Sequence, residues 1–129
     1  MHRLMLVMLL LTLSACTAAQ TPATILTAFE AANLPVTNST SDGVLRPEVQ
    51  NAVPSCQGVW FSAVGEDGIR VFVCGAENDA TKIKRYYDVL GESSLLFFSH
   101  TFQRGNVVLQ GNGELDKALF DSYVAALPK

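Results

Sequence analysis

Two runs of β-forming residues, 58–64 and 69–74, flank the tetrapeptide Gly65-Glu66-Asp67-Gly68. Runs rich in Val, Ile, Phe and Trp that meet across a Gly- and Asp-containing turn read as a β-hairpin. With Val64 opposite Ile69, alternation sends Trp60, Ile69, Val71 and Val73 to one face and Val59, Phe61 and Phe72 to the other. Both faces are then apolar. A sheet of that kind is either covered on both sides or leaves an exposed patch for a partner. The expected cover is the polar stretch 36–57, and Phe61 and Phe72 are the candidate partner surface in its absence.

The rest of the chain supplies helices and a second hairpin. Thr21-Pro22 reads as an N-cap followed by proline at the first helical position. Ile25, Leu26, Phe29 and Ala32 recur at helical spacing behind it, and Pro35 ends the run. Residues 36–57 carry Pro47, Pro54 and the Ser39-Thr40-Ser41-Asp42-Gly43 cluster, a loop signal with room for at most one short edge strand. Glu77-Asn78-Asp79 opens a helix whose Ile83, Tyr86, Tyr87 and Leu90 share a face, with Gly91 as its stop. Residues 95–103 and 107–110 form a hairpin turning at Arg104-Gly105-Asn106. Leu96, Phe98, His100 and Phe102 alternate onto one face of it, joined by Val107 and Leu109. Gly111-Asn112-Gly113 then leads into a helix over 114–127, striped by Leu115, Leu119, Tyr123 and Leu127. The order predicts a single α+β domain over 22–129. It has two layers, with a four-stranded antiparallel sheet from two hairpin–helix units, an N-terminal helix, and the helices on one face.

The N-terminus reads as an address. Met1-His2-Arg3 precedes an apolar run over residues 4–13. As a helix that run rises about 15 Å, half the hydrocarbon thickness, which suits a signal peptide better than a span. Leu13-Ser14-Ala15-Cys16 follows, and it resembles the lipobox of bacterial prolipoproteins. The resemblance implies a signal peptide over 1–15, cleavage after Ala15, and diacylglycerol on Cys16. Residues 16–21 are then the lipidated N-terminus and a short spacer. Two acyl chains or more give stable anchoring where one does not. The competing readings are an ordinary cleaved signal and an uncut anchor running through Ala18 and Ala19. Thr17, where an aspartate would imply retention at the inner membrane, implies the outer membrane if the bacterium has one. The C-terminal half also resembles that of small bacterial envelope lipoproteins, which implies no particular activity.

The 129-residue chain carries nine Lys and Arg against twelve Asp and Glu, and loss of Arg3 with the signal makes it more acidic still. With no basic stripe, nucleic acid is excluded as a partner. Cys56 and Cys74 are the only cysteines left once Cys16 is acylated. In an exported protein an even pair reads as a disulfide, with two buried thiols as the alternative. The pairing above places Cys74 opposite Val59, so the bridge requires residues 54–57 to fold back over the hairpin. His100, the only histidine after the signal, is either a general base in an apolar pocket or a core-margin residue bonded to backbone. The sequence holds no Gly-x-Ser-x-Gly elbow, no helical His pair and no Asp-rich calcium loop. Turn and helix-terminus preferences account for Glu66, Asp67, Glu77 and Asp79. Lys82, Lys84 and Arg85 read as a solvated face, with Lys84 and Asp88 an i,i+4 pair. No catalytic residue, metal site or cofactor is therefore expected.

The leading expectation is a non-enzymatic envelope lipoprotein that binds membrane lipid through Cys16 and another envelope component through its domain. The alternatives are a small-ligand binder with a pocket near His100, Tyr86 and Tyr87, and a hydrolase using His100. Intact-mass measurement on protein purified from membranes should show a chain beginning at Cys16 with added acyl mass. Cys16→Ser should accumulate as uncleaved precursor; an unmodified chain starting elsewhere would refute lipidation.

Overall fold

The computed structural model describes residues 20–129. The lipobox, Cys16 included, lies outside the described residues. Thr21 opens the first helix. Its side chain accepts from the Thr24 backbone N–H while the Thr24 hydroxyl accepts from the Thr21 N–H, and Pro22 follows as the first residue of α1 (Pro22–Ala31). Next come β1 (Thr37–Thr40), α2 (Pro47–Ala52), β2 (Cys56–Val64) and β3 (Asp67–Cys74). They are followed by α3 (Glu77–Ser93), a 3₁₀ turn (Leu95–Phe97), β4 (Ser99–Arg104), β5 (Val107–Asn112) and α4 (Lys117–Ala126). The strands form one antiparallel sheet in the order β1-β2-β3-β5-β4.

The α+β class and the two hairpins agree with the sequence, and five details differ. Pro47–Ala52 forms a short helix where loop is expected, and the last helix begins at Lys117, after its Asp116 N-cap, and not at Glu114. The sheet has five strands where four are expected, because residues 37–40 pair with β2 as an edge strand. Residues 95–97 coil into a 3₁₀ turn and do not extend β4. Cover lies on both faces of the sheet, making three layers where two are expected.

The third layer follows from the register of the first hairpin. The turn is the two residues Gly65-Glu66, with Gly65 at φ +57°, a conformation open to glycine at the first central position of a tight hairpin turn. Val64 pairs with Asp67, and a bulge between Ser62 and Val64 brings Phe61 opposite Ile69. Relative to pairing Val64 with Ile69 that is a slip of three residues. An odd slip exchanges the two faces of one strand against its partner. Val59 and Phe61 therefore join Ile69, Val71 and Val73, while Trp60 joins Phe72.

One core holds Phe61, Ile69, Val71, Val107 and Leu109 under Ile25 and Phe29 of α1 and Phe120 and Tyr123 of α4. The Phe29, Phe61 and Tyr123 rings pack with centroids 5.0–5.8 Å apart. The Tyr123 hydroxyl donates to the Pro35 carbonyl, tying α4 to the connection between α1 and β1. On the opposite face Phe72 and Val108 lie under Ala80 and Ile83 of α3 and under Val44 and Val53. The 36–57 segment thus covers Phe72, as expected, but not Phe61, which α1 and α4 bury.

Cys56 opens β2 directly opposite Cys74, and the two form a disulfide with Cα atoms 3.9 Å apart. No fold-back of residues 54–57 is needed, since the same three-residue slip brings Cys56 into place. The bridge closes a loop of 18 residues. On the loop-entropy account, removing it costs about 3 kcal/mol. Cys56→Ala/Cys74→Ala should show that loss in urea unfolding, with hydrogen exchange rising most in residues 50–57. Alkylation of the non-reduced, denatured chain should leave Cys56 and Cys74 unlabelled; labelling of both would refute the bridge.

Candidate functional site

The residues singled out in the sequence do not converge. Phe61 and His100 lie on the α1/α4 face, and Phe72, Tyr86 and Tyr87 on the α3 side. Phe61 and Phe72 are both fully buried, so neither offers a partner surface. The Tyr87 ring sits 5.9 Å from that of Phe72 and 5.2 Å from that of Tyr86, which is exposed at the helix edge.

His100 is held at the margin of the core. Its Nε2 is 2.8 Å from the Leu115 carbonyl, and its ring lies between those of Phe98 and Phe120, at 5.3 and 5.5 Å. A carbonyl only accepts, so Nε2 carries the proton and donates it. Among the described residues that carbonyl is its only hydrogen-bond partner, and no carboxylate or serine hydroxyl is bonded to it. The arrangement is that of a ring joining β4 to the start of α4.

On the α3 side Arg46, Arg70, Tyr86 and Tyr87 border a recess of about 200 Å³. That is below the usual range for ligand sites, roughly 300–1,000 Å³. Burial raises the Tyr87 hydroxyl above its ordinary pKa, against the pull of Arg70 and Arg46. Arg70 is itself engaged, donating to Gln110 Oε1 at 2.9 Å. Farther along α3, Asp88 accepts from Lys84 at 2.6 Å and from Thr101 at 2.5 Å, which fastens β4 to the helix. Partial burial opposes ionisation of Asp88, and these two bonds outweigh it, holding the carboxyl below its ordinary pKa. Among the described residues no three His, Cys, Asp or Glu side chains group as a metal site.

Two features remain with the character of binding surfaces. One is a groove of about 680 Å³ between the start of α1, the end of β1, α2 and the first half of β2. The other is the connection between α3 and β4. There Leu95 and Leu96 are 92% and 90% exposed, and Phe97 and Phe98 are 59% and 47% exposed. Four consecutive large apolar side chains turned outward are unusual in a small domain, where exposed apolar residues are normally scattered singly. The turn carrying them is braced: the Ser94 hydroxyl accepts from the Leu96 N–H, and Gly91 lies against the Phe98 backbone. Gly91 thus marks a close approach inside α3, and the helix runs on to Ser93. Alternation of Leu96 and Phe98 with His100 and Phe102 hid this surface, since it reads as the buried stripe of a longer strand.

The apolar turn and the point where the described chain begins lie at opposite ends of the sheet. Gln20 borders Arg104, Asn106 and Lys129 at the β4–β5 turn. Phe98 lies beside Gly113 at the other end of β5, next to the pairing of Ser99 with Asn112. The length of β5 separates them, about 17 Å. The chain matches no protein-family model, no curated protein and no solved structure.

A histidine that braces the fold should register in stability. His100→Ala should lower unfolding free energy by about 1–3 kcal/mol, through the lost bond and the Leu115 carbonyl left unpaired. Urea denaturation measures it, and an unchanged midpoint would show that the ring braces nothing.

Proposed function

We propose that the chain is a lipid-anchored envelope protein without enzymatic activity, whose domain binds another envelope protein through the Leu95–Phe98 turn. The observation that carries this reading is the position of that turn at the end of the sheet remote from Gln20. A tether leading from Gln20 to Cys16 would place the opposite end farthest from the bilayer. An apolar surface aimed away from lipid is suited to a protein partner and not to membrane insertion. No helix among the described residues is long and apolar enough to cross a membrane. A lipid anchor on Cys16 accounts for membrane attachment without one.

A photo-crosslinking residue at position 97, introduced in the full chain and irradiated in native membranes, should give a discrete protein adduct. Leu95→Asp and Leu96→Asp should reduce partner capture at least tenfold while leaving the melting temperature unchanged, because both side chains are already in solvent. Crosslinking to lipid alone, or capture unaffected by both variants, would overturn this assignment of the turn.

A further inference from the structure

The groove beside β2 contains an unpaired length of sheet edge. The Cys74 N–H donates to the Asn106 carbonyl, on the β5 side of β3, at 3.0 Å. Cys56 and Cys74 are therefore a non-hydrogen-bonded pair, and the backbone groups of Cys56 point away from β3. Both are used there: its N–H donates to the Val53 carbonyl at 3.1 Å, and its carbonyl accepts from Gln50 Nε2 at 3.2 Å. Trp60 and Ser62 point the same way and pair with β1. Gly58 lies between them in the same alternation, so its N–H and C=O also point outward. At Gly58 there is no β1 residue alongside, and among the described residues nothing hydrogen-bonds to either group.

That open donor and acceptor face the groove of about 680 Å³. Its lining combines hydroxyls and amides (Ser39, Ser41, Gln50, Gln57) with Leu26 and Val59, and includes no charged residue. Glycine at 58 is fixed by what lies behind it, since a Cβ there would stand 2.9 Å from Val44 Cγ1 and 3.0 Å from the Phe72 ring. An exposed strand edge is a template for another extended chain, and main-chain pairing of this kind is a known mode of peptide recognition.

We propose that this groove binds an extended, uncharged peptide segment of another protein, added to the sheet in line with β1. One residue of the segment exchanges two hydrogen bonds with Gly58. Its neighbours in the segment turn to the other face, where Leu26 and Val59 favour an apolar side chain. The absence of lining charge selects against acidic and basic segments, which would lose hydration without a counter-charge. The site is separate from the Leu95–Phe98 turn, so either assignment stands without the other.

The test uses the full chain in detergent micelles. In the free protein the Gly58 amide should exchange rapidly with solvent, unlike the paired amides of β3. Decapeptides selected from a random displayed library should be uncharged over their binding segment, and a synthetic copy should slow Gly58 exchange at least tenfold. N-methylation of the paired peptide residue should weaken binding at least tenfold. Ser39→Trp, at an exposed position bordering the groove, should do the same without shifting the melting temperature. A selection that yields no uncharged binder overturns the proposal, as does binding insensitive to N-methylation and to Ser39→Trp. A Gly58 amide already protected in the free chain would do so too, because the chain's own residues would then occupy the edge.

Discussion

Burial of β3 and β5 on both faces dictates the rest of the architecture. Val71 and Leu109 fill one side of these strands and Phe72 and Val108 the other, and all four are fully buried. A sheet with an apolar surface on each side is stable only between two layers, and the chain supplies them unequally. One is built from the amphipathic helices α1 and α4. The other has a single long helix, and the area α3 leaves over Phe72 is closed by Val44 and Val53 from irregular backbone. The disulfide secures this less regular side at its start, where α2 gives way to β2.

Much of this was legible in the residues, and what was not has a definite cause. Helical periodicity located α1, α3 and α4, and glycine-containing turns located both hairpins, because those signals are local. Apolar residues on both faces of the first hairpin correctly implied cover on both sides. Which residue lay on which face was not legible, because a four-residue loop and a two-residue turn with a bulge fit the same tetrapeptide. The choice shifts every side chain of one strand. It also decided the route of the Cys56–Cys74 bridge. His100 was readable as a core-margin residue, while its partner, the Leu115 carbonyl fifteen positions on, was not. The exposed turn at 95–98 was hidden because an outward 3₁₀ turn and an inward strand share one pattern of residues.

The two candidate binding surfaces differ in kind. The Leu95–Phe98 turn offers apolar area on a braced connection, and its affinity for a partner depends on that area and on shape. The groove offers hydrogen-bonding direction, since Gly58 presents a donor and an acceptor whose spacing only an extended backbone matches. Neither requires a reactive group. The polar side chains with the most defined geometry, His100, Asp88 and Arg70, are engaged in joining one element to another.

The strand order has a bearing on how the chain matures. Residues 107–112 form the last strand to be synthesised, yet β5 sits inside the sheet between β3 and β4. Until that segment is available, β4 has no strand to pair with, and one side of β3 is unpaired, with Val71 and Phe72 lacking Leu109 and Val108 beside them. The sheet therefore closes late and from the inside. A nascent chain lacking its final strand is correspondingly open. The same arrangement makes residues 107–112 a keystone: without them β4 is cut off from the rest of the sheet, a larger loss than the trimming of an edge.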